Sequence, residues 1–145
     1  HSNFGVSVFF FFFYTNAIYI KSQNKQLVHK KVEFAPDFVF RGGAGFKYKT
    51  FSFSWQISTI SKQFTDATNA TYASTAVIGI IPKYYVMDVT ASYSYKFLKV
   101  SCSFNNLSNN KYFTRRAESY PGPGIIPSDG IGVFGTLAFK WSTKN

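Results

Sequence analysis

The residues of this chain best suited to gripping another molecule are two adjacent arginines, Arg115 and Arg116. A guanidinium presents a planar fork of donors that matches a carboxylate through two parallel hydrogen bonds. The pair lies in Tyr112–Gly130, YFTRRAESYPGPGIIPSDG, which holds three of the five prolines and three of the ten glycines. No helix interior accommodates Pro121, Pro123 and Pro127, and each of them removes a donor that a central strand needs. The stretch reads as a long, stiffened loop, and loops of that length in compact domains are functional or disordered. The prolines and the Ile125–Ile126 pair favour order. The arginines have two readings. They attract or hold an anionic ligand, or they bind neighbouring loop carbonyls or lipid phosphates and order the loop. Tyr120–Gly124 (YPGPG) reads as a turn that fixes the backbone.

Nothing else in the chain offers reaction chemistry. The single cysteine, Cys102, excludes an intrachain disulfide and a cysteine-based zinc site, and it continues an apolar pattern between Val100 and Phe104. The two histidines, His1 and His29, are far apart, and His29 sits beside Lys30 and Lys31 in a polar segment. Six acidic residues are scattered too widely for a paired-carboxylate site. The expectation is a protein that is not an enzyme and has no resident metal or cofactor.

The elements that must carry the loop show period two, the signature of strands with one apolar and one polar face. In Phe51–Thr59 the residues Phe51, Phe53, Trp55 and Ile57 oppose Ser52, Ser54, Gln56 and Ser58. Val89–Phe97, Leu98–Asn105 and Val133–Ser142 repeat the pattern, and Phe38–Tyr48 shows it more weakly. Phe4–Ile20 is β-like, but Phe9–Phe13 is apolar on both faces, so that strand is buried on both sides or covered by something outside the chain. Tight turns connect some strands, KYKT and KFLK; long connections join others, about Lys21–Asp37, Lys62–Lys83 and Tyr112–Gly130.

These features predict an all-β chain: an antiparallel meander of about six long strands, with short turns at one end and long loops at the other. That is the layout of a transmembrane β-barrel. The strand lengths suit a tilted membrane strand. Aromatic residues near strand ends, among them Tyr48, Phe51, Tyr84, Tyr85, Tyr93, Tyr95, Tyr112, Phe113, Phe139 and Trp141, fit interfacial girdles. A soluble β-sandwich also alternates. Its water-facing surface would carry more charge than the Ser, Thr, Gln and Asn found here, and its apolar faces would be less aromatic. The net charge of +10 raises the possibility of nucleic-acid binding. The lysines fall in separate stretches without an RNA-binding motif, so no nucleic-acid partner is expected. The chain starts at His1 without a visible signal peptide, which reads as a mature product or a fragment.

FNNLSNNKYFTRRAESYPGPGIIPSDG, Phe104–Gly130, resembles the end of TonB-dependent outer-membrane receptors, especially the ferric-dicitrate and siderophore branch. FAPDFVFRGGAGFKYK, SKQFTDATNA and GIIPKYYVMDVTASYSY fit the same family, so the resemblance covers most of Glu33–Trp141. It implies that residues 1–145 are a C-terminal segment, part of the large transmembrane β-barrel of such a receptor, without the plug domain. It implies active uptake of a ferric chelate across the outer membrane of a Gram-negative-type bacterium, energised through TonB, which contacts the absent N-terminal region. The implied partners are outer-membrane lipid and the chelate, the latter as cargo. With the long loops facing outside, Arg115 and Arg116 are the candidate ligand contacts, the alternative remaining that they order the loop. Tyr120, Pro121, Gly122, Pro123, Gly124, Pro127, Asp129 and Gly130 form the family's loop motif, with a structural role. The other reading is a small outer-membrane or surface β protein that binds ligands through its long loops without transporting them.

Overall fold

The computed structural model describes residues 3–119 and 122–140. Its main sheet has six strands: β1 (Phe4–Tyr14), β2 (Phe38–Tyr48), β3 (Phe51–Ile60), β6 (Tyr84–Tyr95), β7 (Leu98–Asn105) and β10 (Gly132–Phe139). They pair antiparallel in the order β1-β2-β3-β6-β7-β10. Two further small sheets stand in the long connections. One pairs β4 (Gln63–Phe64) with β5 (Ile80–Ile81); the other pairs β8 (Phe113–Ala117) with β9 (Gly124–Pro127).

The registers join the alternation of single strands into two continuous faces. Phe53 lies opposite Phe46 and Ala91, and Trp55 opposite Ala44 and Val89. Directly opposed residues share a face, so the apolar sets of β2, β3 and β6 merge. Ser52 lies opposite Ser92, and Thr90 opposite Ser103, on the other face. There the hydroxyls of Ser52 and Ser92 are 2.7 Å apart and those of Thr90 and Ser103 2.9 Å apart. The main sheet is a single layer. Among the described residues only Ile81 and Ala117 are buried hydrophobics, while Phe10, Val8 and Phe139 on the apolar face are 80%, 73% and 71% exposed. Among the described residues no second sheet covers that face, so their arrangement is not a sandwich.

The first strand ends at Tyr14, short of the expected Ile20. Its partner β2 begins at Phe38, and the nearby Pro36 has no N–H with which to extend a ladder. Phe9 and Phe11 do share the polar face: they lie opposite Gly43 and Arg41. The Phe9 ring occupies the space above Gly43, and a Cβ built there would meet Phe9 Cε1 at 2.6 Å and the Trp55 carbonyl at 2.7 Å. An aromatic ring covering a cross-strand glycine is a register-fixing device. Gly43→Ala is therefore expected to destabilise the sheet by about 2 kcal/mol, read as a lower urea midpoint with an unchanged slope.

The two turns at one end are the two-residue links 49–50 and 96–97, with Lys49 and Lys96 both at φ +51°. Each lysine lies over the preceding tyrosine ring, Lys49 at 5.3 Å from Tyr48 and Lys96 at 5.2 Å from Tyr95. Phe97 stacks on Phe139 at 6.5 Å, which completes an aromatic and basic band at this end. Trp141, expected to join it, lies outside the described residues. The opposite end carries all three long connections, 15–37, 61–83 and 106–131.

Candidate functional site: the interlocked rim

The three long connections hold one another by side chains that bind backbone. Asn69 in the second connection mimics a strand partner for the first: its Oδ1 accepts from the Lys31 N–H at 2.7 Å and its Nδ2 donates to the Lys31 carbonyl at 2.7 Å. Asn69 itself has φ +59°, a conformation that asparagine tolerates better than most residues. Lys31 also donates to Asn16 Oδ1 at 2.9 Å and forms an ion pair with Asp37. The Phe34 N–H donates to the Phe64 carbonyl at 2.8 Å, a second tie between the first two connections.

Tyr19 donates to Glu33 Oε2 at 2.6 Å, and this acceptor, more than its burial, raises the phenol above its usual 10.0. A raised folded value means that the tie is fully present below that usual value and is lost as pH rises through the higher folded one. Protease protection of residues 15–37 is expected to persist through neutral pH and to fall only above pH ~10. Tyr19→Phe should abolish that alkaline step.

The third connection is not an irregular loop. It contains the β8–β9 hairpin, with Arg115 opposite Ile126, Arg116 opposite Ile125 and Phe113 opposite Pro127. Pro127 is admitted because it ends β9 on a two-stranded ribbon, where no further ladder donor is required. Gly122 at φ +152° and Gly124 at φ +131° shape the turn between the strands, and Pro123 is exposed beside them. Tyr120 and Pro121 lie outside the described residues. Asp129 contributes its carbonyl, which accepts from Asn106 Nδ2 at 3.2 Å. At Gly130 a Cβ would press on neighbouring side chains, meeting Asn109 Oδ1 at 2.9 Å and Lys111 Nζ at 3.1 Å.

The two arginines separate in this arrangement. Arg116 donates through Nη1 to the Ala76 carbonyl at 2.6 Å and through Nη2 to the Ile80 carbonyl at 3.0 Å. Its guanidinium lies 5.3 Å from the centre of the Phe113 ring. Its Nε is buried and has no partner among the described residues. Arg115 is exposed, one residue along the strand, and its side chain has no hydrogen-bond or ion-pair partner among the described residues.

The polar face of the sheet rises into this rim. Tyr84, opposite Ile60 on that face, stacks on Tyr112 of the third connection with ring centres 4.6 Å apart and planes 14° from parallel. Below, Gln56 Nε2 donates to Asp88 Oδ2 at 3.3 Å, and Asp88 Oδ1 accepts from the Asn106 N–H at 2.9 Å. Arg41 and Asp88 both line a hollow of about 260 Å³ on this face. Sequence reasoning did not single out Arg41, Asp88, Asn69 or Asn106. The one available signal for the last of them is that Asn106 stands in an asparagine-rich stretch with Asn105, Asn109 and Asn110. What the site offers is recognition: an exposed guanidinium, loop lysines and a hydroxyl- and amide-lined wall. Among the described residues there is no group of three or more metal-binding side chains.

No protein-family model and no curated protein matches the chain. Solved structures do. The ferric citrate transporter FecA in its unliganded form matches with a TM-score of 0.82 at 20% identity, over 94% of this chain and 21% of that one. The ferric-catecholate import receptor Fiu from Escherichia coli K12, in a closed form, matches with a TM-score of 0.70 at 15% identity, over 92% of this chain and 18% of that one. The siderophore receptor PiuA from Acinetobacter baumannii gives 0.63 at 19% identity, over 79% and 15%. The likeness establishes the fold, that of a segment of a β-barrel wall. The chain spans about a fifth of the length of FecA.

Proposed function

We propose that this chain forms part of the wall and outer rim of an outer-membrane receptor that takes up ferric chelates, energised through TonB. The observation that carries this is the match of 94% of the chain to the ferric citrate transporter at a TM-score of 0.82. The basic, interlocked rim supports it. Cations at the mouth of a low-dielectric wall raise the local concentration of anions, and an exposed Arg115 suits the carboxylates of a citrate-type chelate. In this reading Arg115 meets the ligand, Arg116 braces the hairpin, and the chelate is cargo and not a cofactor. The apolar face meets lipid, the polar face lines the lumen, and the long connections face outward.

The six strands of the main sheet are fewer than the eight of the smallest single-chain barrels. An open sheet edge is untenable in hydrocarbon, so β1 and β10 require further strands beside them. A C-terminal position in a longer receptor, whose plug domain and TonB contact lie upstream, meets that need. The test is the reading frame upstream of residue 1, followed by binding. We expect further strands and a plug domain, and saturable, salt-sensitive binding of ferric citrate by the longer chain. A start codon and leader immediately before residue 1 would replace this reading with that of a small outer-membrane or surface β protein. A longer chain that binds neither ferric citrate nor a ferric catecholate would end the chelate assignment.

A further inference from the structure

We propose that the outward side of the rim, between the starts of β2 and β6, binds a phosphorylated lipid of the outer leaflet. The proposal rests on reading the sheet as a membrane wall, and its site lies on the face opposite the lumen. Phe38 marks that face: it pairs with Tyr14, and its ring stacks on Phe12 with centres 6.5 Å apart. Next to Phe38 is an open hollow of about 490 Å³, with Ile80 and Pro82 as its other apolar walls. That volume is in the range of small-molecule sites.

Two lysines border the hollow, Lys62 and Lys83. Lys83 directly precedes Tyr84, whose side chain is on the polar face opposite Ile60. Lys83 itself stands just outside β6, and the hollow it borders is shared with Phe38 of the apolar face. Both lysines are exposed, and neither ammonium group has a hydrogen-bond or ion-pair partner among the described residues. The acid at the site, Asp37, is already engaged by Lys31 and does not neutralise them. The hollow thus combines an apolar lining with two uncompensated ammonium groups on its border, above the lipid-facing aromatics. A water-soluble anion has no use for the lining, and a neutral acyl chain has none for the lysines. A phosphate carrying an acyl chain uses both: lysine acts towards phosphate as a point charge that needs no fork geometry, and basic residues at this depth attract anionic headgroups.

The experiment uses the longer receptor chain that carries this segment, purified in dodecyl maltoside, with dodecyl phosphate as the probe. Expected is saturable binding of dodecyl phosphate that protects residues 61–83 from protease. The double substitution K62Q/K83Q should weaken it roughly tenfold or more. Pro82→Trp, which fills the hollow without changing charge, should weaken it as well, and inorganic phosphate at equal concentration should not compete. Unchanged affinity in both variants, or equal displacement by inorganic phosphate, overturns the lipid site. Ferric citrate binding on the same preparations separates the two proposals. If ferric citrate binds and dodecyl phosphate does not, the lipid site alone falls. If neither binds and the protein does not partition into detergent, the receptor reading falls with it.

Discussion

Asn106→Ala is expected to loosen residues 106–131 while leaving the six-stranded sheet folded. Asn106 is 4% exposed and closes the base of the third connection. Its Nδ2 donates to the carbonyls of Asn110 at 3.0 Å and Asp129 at 3.2 Å, and its Oδ1 accepts from the Asn110 N–H at 2.9 Å. Alanine leaves those three backbone groups without partners in a half-buried setting, at about 1 kcal/mol or more each. Alanine also fits badly at the φ of +48°, which adds about 1 kcal/mol. The sum is about 4 kcal/mol of local opening free energy. Hydrogen exchange at the amides of Asn110 and Ile131 should accelerate by two to three orders of magnitude, with β3 and β6 unaffected. Asn106→Gly removes the same hydrogen bonds but tolerates the backbone, so it should be milder by the conformational part alone, about 1 kcal/mol. Exchange rates in Asn106→Ala that match the parent protein would show that the rim does not depend on this side chain.

The sheet was legible in the sequence because strands with one wet face and one apolar face write their geometry into every second residue. Phe51–Thr59 needed no partner to be read, and its pairing with β2 and β6 keeps Phe53 and Trp55 on the face that alternation assigned. Phe9–Phe13 resisted because one of its polar-face rings, that of Phe9, is matched to a property of another strand, the missing side chain of Gly43, some thirty residues away. The rim was illegible for a related reason. Asn69 reaches Lys31 across 38 residues of sequence, and Arg116 reaches Ala76 across 40. An asparagine or arginine that binds backbone carries no local mark to distinguish it from a solvated one. The proline rule held for the main sheet but concealed the β8–β9 hairpin, because Pro127 stands at a strand end, where the rule does not apply.

Arg116 and Arg115, neighbours in sequence, are expected to fail in different ways. Arg116→Ala removes two hydrogen bonds from a charged donor and strands the carbonyls of Ala76 and Ile80. Bonds of that kind are worth about 1.5 kcal/mol or more each, so the hairpin should detach from residues 61–83 at a cost of about 3 kcal/mol. Limited proteolysis should then cut both connections at least tenfold faster. Arg116→Lys keeps the charge but loses the fork that spans two carbonyls, so it should restore little of the protection. Arg115→Ala leaves those contacts intact, and proteolysis should be unchanged. Under the proposed receptor function, its effect should appear in ferric citrate affinity of the longer chain, as a loss of roughly tenfold, equivalent to one charge-assisted hydrogen bond. The cross-comparison decides the roles. Parent-like protection in Arg116→Ala would remove its bracing role, and parent-like affinity in Arg115→Ala would remove its claim on the ligand. If Arg116→Lys binds chelate like the parent while its connections are cut rapidly, charge at position 116 serves the ligand and the brace is secondary. If it loses both, the ligand depends on the order that Arg116 imposes, and the hairpin is the part of the rim through which order and affinity are linked.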